Sequence, residues 1–198
     1  MASHASPQYT TLVCDIGDVL FTWTPPAASK LSRKALFSSA AWHDYECGRI
    51  NDGDVFCEAV SRETGLTKAD VEGFYAEARP TLHVNEELLA IIRDIKARQF
   101  QVLLMSNISS PDFEDLLTRF DDWAVFDGVF ISAEVGLCKP EIGFYEHVIA
   151  ESGIDPRKSV FLDDKAKNTD AAASLGFRDV VYDDMAHVAH TLRSLFRD

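Results

Sequence analysis

Several apolar runs in this chain end in residues able to carry chemistry. Asp15 closes the run TLVC (11–14) and opens the tetrapeptide Asp15-Ile-Gly-Asp18. Asp163 and Asp164 close the run that begins at Val160. A carboxylate at the end of a buried strand loses hydration and must be paired or metal-bound. Two adjacent carboxylates also repel each other, and a divalent cation relieves both costs. Mg²⁺ takes oxygen ligands in octahedral geometry, so Asp15 plus one of the Asp163–Asp164 pair is the right ligand chemistry. The same residues also suit turns, where Asp and Gly satisfy backbone groups. Ser106-Asn107 follows the run QVLLM and offers a hydroxyl, an amide and loop N–H groups to phosphate oxygens. It too is ordinary turn chemistry. Lys139 precedes Pro140, which fixes the chain after it and aims this one cation.

These residues act together only if strands far apart in sequence lie side by side. Apolar runs at 11–14, 101–105, 125–131, 159–162 and 179–182 have strand character. Helical periodicity fills 86–98, 112–120, 142–152, 167–175 and 186–196, with Gly153 and Gly176 at helix stops. This alternation predicts an α/β fold, a parallel sheet with helices on both faces. Ligands then bind beyond the carboxyl ends of the strands. Between Phe21 and about Val84 no strand is expected. Helix-like pieces occupy 27–38, 40–46, 52–64 and 68–79, and Thr67 with Asp70 marks a helix start. The expected organisation is a core of 1–22 and 84–198 with a helical cap, 23–83, over the crevice mouth.

Composition narrows the partners. The 198 residues are 46% hydrophobic and 26% charged, as in ordinary globular proteins. Nineteen Lys and Arg face 32 Asp and Glu, a formal charge of −13. That balance excludes nucleic acid and disfavours an anionic membrane surface. An anionic small substrate is compatible only where a metal or local cations reverse the field. No apolar run approaches the 18 residues of a membrane span, and MASHASPQYT lacks the features of a signal peptide. Cys14, Cys47, Cys57 and Cys138 form no CxxC pair, which predicts buried free thiols in the cytoplasm.

In chain order, a strand with DxGDVL, a strand with SN, a VGxxKP segment and a strand ending in DD resemble the haloacid dehalogenase (HAD) superfamily of aspartate-nucleophile hydrolases. The likeness covers nearly the whole chain and is densest over 132–177. Trp42-His-Asp-Tyr-Glu46-Cys-Gly48 looks like the start of the small helical cap of the dehalogenase/phosphatase branch. The resemblance implies a Rossmann-like core with that cap inserted after the first strand. It implies Asp15 as the nucleophile, forming an aspartyl-phosphate, and Mg²⁺ held by Asp15, the Gly17 carbonyl and Asp164. Asp163 would be a supporting carboxylate, with the roles of the two aspartates open to exchange. Ser106 and Asn107 would hold the phosphoryl oxygens, Lys139 would neutralise nucleophile and phosphate, and Asn168 would be a further polar support. Family phosphatases commonly carry an acid/base aspartate two residues after the nucleophile. Here Gly17 stands in that place and Asp18 comes one residue later, so its role does not transfer directly.

The expected function is a Mg²⁺-dependent phosphatase of a small organic phosphate. The alternatives are an enzyme of isoprenoid metabolism (prenyl diphosphate phosphatase or terpene cyclase), a 2-haloacid dehalogenase, and an inactive binding module suggested by Gly17. The isoprenoid alternative rests on Phe21, Trp23, Trp42 and Phe56 as an apolar pocket wall. His43, Arg49 and Arg79 are candidate cap contacts to an anion, and the chain is a monomer or a homodimer.

Overall fold

The computed structural model describes residues 8–197; most of the N-terminal segment tested for a signal peptide lies outside them. In chain order the elements are β1 (Thr11–Cys14), β2 (Phe21–Thr22), α1 (Arg33–Phe37), α2 (Ala40–Glu46), α3 (Gly53–Thr64), α4 (Lys68–Ala78), β3 (His83–Val84), α5 (Glu86–Ala97) and β4 (Gln101–Ser106). There follow α6 (Ser110–Leu117), β5 (Gly128–Ile131), α7 (Ser132–Val135), α8 (Ile142–Ser152), β6 (Ser159–Asp163), α9 (Ala166–Ser174), β7 (Arg178–Val181) and α10 (Met185–Leu195).

Five strands form one parallel sheet in the order β5-β4-β1-β6-β7. The central strand β1 is buried at every position, which explains why its sequence is wholly apolar apart from Thr11. Leu12 and Cys14 point into a layer built with α5 and α10, and Val13 into the opposite layer with α8 and α9. Helix α5 shows how the sequence specifies such a layer. Asn85 caps it by accepting from Leu88 N, Glu86 and Glu87 occupy its first turn, and Leu88, Leu89, Ile91, Ile92 and Ile95 form its buried stripe.

Helices α1 to α4 pack around a separate apolar cluster that includes Tyr45, Phe56, Val60, Val71 and Phe74. The Thr67–Asp70 signal is a full capping box at the start of α4. Three expectations are corrected. The segment 21–84 contains strand after all: β2 and β3 pair antiparallel at the root of the cap. Only Arg33–Phe37 of the expected helix 27–38 is helical, because Pro25 and Pro26 stand ahead of it and Ser32 caps it late. The run 125–131 begins as a 3₁₀ turn, and the strand starts only at Gly128. Asp127 sets that boundary, its carboxylate accepting from Val102 N at 2.8 Å.

The thiol expectation is also corrected. Cys14 and Cys57 are buried free cysteines, but Cys47 and Cys138 form a disulfide across a sequence separation of 91 residues. Its partners come from the cap and the core, so no local spacing announced it. Among the described residues no helix is long and apolar enough to cross a membrane.

Candidate active site

Register brings the chemistry together. Cys14 pairs with Leu104 on one side and Leu162 on the other, so Asp15, Met105 and Asp163 stand at one level on neighbouring strands. Lys139, on the loop before α8, reaches that level from the side. Its Nζ lies 2.8 Å from Asp15 Oδ1 and 2.6 Å from Asp163 Oδ2, and donates to Met105 O at 2.9 Å. All three charged side chains are at most 5% exposed. Burial by itself would lower the Lys139 pKa, but the two carboxylates outweigh it and hold it above the ordinary value.

The two aspartates of the doublet have different surroundings. Asp163 is saturated: Oδ2 faces Lys139, while Oδ1 accepts from Lys165 N and Asn168 Nδ2, each at 2.9 Å. Although burial pushes it up, these donors hold its pKa below the usual carboxylate range. Asp164 Oδ1 is buried with no hydrogen-bond partner among the described residues, the nearest cation being Lys165 Nζ at 3.9 Å. Burial pushes both Asp164 and Asp15 upward. A buried carboxylate oxygen without a donor is costly unless a cation binds it. One oxygen from each of Asp15, Asp163 and Asp164 falls within 4.8 Å of the others. The donor set therefore fits a hard divalent cation, with Asp15 and Asp164 as available ligands and Asp163 committed to orienting Lys139.

The remaining expected residues are placed as follows. Ser106 ends β4 and lines the same crevice as Asp15, buried to 2% exposure. Asn107 lines it too, but its side chain is spent on Lys139: Oδ1 accepts from Lys139 N at 2.7 Å and Nδ2 donates to Lys139 O at 3.0 Å. Gly17 is exposed, and a Cβ there would meet nothing within 4 Å. Asp18 has a left-handed backbone (φ 60°) and its carboxylate meets Arg33 of the cap. The Arg33 guanidinium in turn lies 4.9 Å from the ring centres of both Trp23 and Phe37.

Above this polar floor opens a cavity of about 320 Å³. Phe21, Trp23, Phe37, Trp42, Phe74 and Leu116 form much of its wall. Phe56 does not reach it; that ring stacks on Tyr45 in the interior of the cap, their centres 4.0 Å apart. His43 and Arg79 line the cavity, Arg79 also pairing with Asp112 at 3.3 Å, whereas Arg49 pairs with Asp44 at the surface.

The model of the haloacid dehalogenase-like hydrolases matches residues 30–176. The chain belongs to this family. This HAD-like hydrolase is 34% identical over 191 residues to drimenol cyclase drtB of Aspergillus calidoustus, a match covering 93% of the chain but 36% of the cyclase. It is 30% identical over 190 residues to sesquiterpene phosphatase astK of Aspergillus oryzae, covering 94% of the chain and 96% of the phosphatase. Among solved structures, a HAD-like hydrolase of Porphyromonas gingivalis superposes with a TM-score of 0.74 at 22% identity, covering 96% and 99% of the two chains. A HAD family enzyme of Bacteroides thetaiotaomicron, in complex with magnesium and inorganic phosphate, gives 0.71 at 19% identity, covering 91% and 98%. At these identities the structural likeness concerns the fold.

Sequence reasoning gave no role to two residues of the HAD-like site. Arg33 sits in a surface-like stretch, and nothing local pointed it at Asp18. Glu46 lies inside the WHDYEC segment and lines the cavity. Burial lifts its pKa to about 7, with Asp15 adding to the effect and Lys165, Lys139 and Trp42 opposing it.

Proposed function

We propose that this HAD-like hydrolase is a Mg²⁺-dependent phosphatase acting on a small organic phosphate with an apolar, terpenoid-like body. One observation carries the reading: a single cavity is lined by Asp15 and Lys139 and by an aromatic wall from the cap, and an Asp164 oxygen lies within 4.8 Å of an Asp15 oxygen. A charged head and an apolar tail are thereby accommodated in one chamber. The match along 96% of a sesquiterpene phosphatase supports this reading.

The chain's residues divide the work. Ile16 N and Lys139 Nζ both donate to Asp15 Oδ1, at 2.7 and 2.8 Å, which orients the carboxylate for attack on phosphorus. Lys139 offsets the repulsion between that carboxylate and the phosphate. Ser106 Oγ and the Asn107 main chain, which line the cavity with Asp15, would hold the transferring oxygens. When bound to Asp15, Asp164 and the Gly17 carbonyl, Mg²⁺ supplies the positive charge that draws the phosphate in and stabilises its transfer. Water then cleaves the aspartyl-phosphate. The aromatic walls exclude bulk solvent from the apolar part of the substrate.

A second reading, ionisation of a prenyl diphosphate followed by cyclisation, draws on the same aromatic wall and on the likeness to drimenol cyclase, whose length the chain covers only to 36%. The deciding experiment is phosphate release from a panel of prenyl and short-chain monophosphates and diphosphates, with product analysis, in Mg²⁺ and in EDTA. Mg²⁺-dependent release with the alcohol as product, abolished by Asp15→Asn, is expected. Cyclic products would favour the second reading. No turnover of any phosphate would refute both, and chloride release from a 2-haloacid in EDTA would point to dehalogenation.

A further inference from the structure

The phosphatase reading leaves one role unfilled. Nothing at Gly17 can give a proton to the leaving oxygen, and the Asp18 carboxylate is engaged by Arg33. A second carboxyl group reaches the cavity from the cap. Glu46 is the last residue of α2 and lines the cavity beside Asp15 and Lys139.

Its position is held by several contacts. Its carbonyl accepts from Ser132 Oγ, which also receives Ile108 N at 3.0 Å. The next residue, Cys47, is bonded to Cys138, itself the neighbour of Lys139. Gly48 (φ 71°) packs so closely on α7 that a Cβ would lie 2.4 Å from Ala133 O. The cap is thus fastened to the core at Glu46 and at the two residues that follow it. These ties fix the Glu46 backbone at the cavity that Asp15 and Lys139 also line. Asp15 from the end of β1, Lys139 from the loop before α8 and Lys165 from the start of α9 face it, with His43 on its own helix.

We propose that Glu46 is the acid/base residue of this enzyme, supplied by the cap in place of the side chain absent at Gly17. As Asp15 attacks phosphorus and the P–O bond to the leaving group breaks, the Glu46 carboxyl gives its proton to the leaving oxygen, and the alcohol departs. The Glu46 carboxylate then takes a proton from the attacking water. The bond from phosphorus to Asp15 breaks with its electrons returning to the Asp15 carboxylate, and phosphate leaves. Atoms and charge balance, and Glu46 ends protonated as it began.

This inference rests on the phosphatase reading, and first-turnover kinetics separate the two. With an alkyl phosphate, whose leaving alkoxide needs the proton, Glu46→Gln slows the first turnover by about 10²–10³-fold. With p-nitrophenyl phosphate, whose leaving group needs none, the nitrophenolate burst stays within about fivefold of wild type. Later turnovers slow, and the phosphorylated chain accumulates in intact-mass spectra. Gly17→Asp, built into open space, restores at least tenfold of the alkyl-phosphate rate to the Glu46→Gln chain, which also shows that the variant folds. Equal slowing of the first turnover on both substrates, wild-type rates on both, or absence of a trapped phospho-chain would each overturn the role of Glu46 while leaving the phosphatase reading intact. A wild-type enzyme that releases no phosphate would overturn the phosphatase reading itself.

Discussion

Asn107 grips the backbone of Lys139 from both sides, accepting from its N–H at 2.7 Å and donating to its carbonyl at 3.0 Å. Thirty-two residues separate them in the chain. The amide therefore sets the height at which the Lys139 ammonium meets Asp15. Asn107→Ala removes both bonds and lets the loop drift. A misplacement of about 1 Å at a reacting centre can cost about 10²-fold, so kcat is expected to fall by that order with a smaller change in KM. Steady-state kinetics on the best substrate of the panel check this.

Lys139 is the shared cation of two buried carboxylates. Lys139→Met leaves Asp15 and Asp163 facing each other and is expected to destabilise the fold by about 3–5 kcal/mol near neutral pH. The pKa of Asp163 is depressed in the folded state, so its pairing stabilises above the ordinary carboxylate pKa. That contribution is lost as pH falls through the lowered value. The deficit of the variant relative to wild type should therefore narrow on acidification. Denaturant unfolding at about pH 7 and at about pH 2–3, below the ordinary carboxylate pKa, measures it.

The unpartnered Asp164 oxygen makes the metal reading testable without turnover. Mg²⁺ is expected to raise Tm in a concentration-dependent way, the folded state gaining about 2.7 kcal/mol at a hundredfold excess over Kd. Asp164→Asn should abolish that rise while leaving the metal-free Tm equal or higher, because burial disfavours the charged carboxylate in the empty site. A full Mg²⁺ response in the variant would remove Asp164 from the ligand set.

The cap is joined to the core through Cys47 and Cys138. Closing a loop of 91 residues restricts the unfolded chain, for which the entropic account gives up to about 4–5 kcal/mol. Reductant, or the double change to serine, is expected to lower Tm by several degrees. Calorimetry with and without dithiothreitol reads the shift, and an unchanged Tm would mean the bond adds nothing to stability.

Trp42 forms part of the wall at the apolar end and stacks on Phe37, ring centres 4.8 Å apart. If the substrate tail lies there, Trp42→Ala raises KM for a fifteen-carbon prenyl phosphate by about tenfold, equivalent to about 1.4 kcal/mol of lost apolar contact. KM for glycerol 3-phosphate should hardly move. Parallel changes in both would place the tail elsewhere.

Much of this enzyme was legible in its sequence, because much of it follows from local patterns. Apolar runs ending in Asp15, Ser106 and Asp163 had to be buried strands with polar ends. A parallel sheet collects such ends along one edge, and register then set Asp15 beside Asp163. Helix caps at Thr67 and Asn85 are equally local, since each satisfies groups within one turn. What only the tertiary structure decided are pairings between segments with no shared period. The division of labour between Asp163 and Asp164 depends on which oxygen Lys139, Lys165 and Asn168 reach. Asn107 turned from phosphate toward Lys139, Asp18 toward Arg33, and Cys47 found Cys138. Phe56 went into the cap interior while Trp42 faced the cavity, although the sequence around each reads alike. Side-chain type and spacing carry the strength of a group's need for a partner; only packing, which brings distant backbones within a few ångströms, decides which partner meets it.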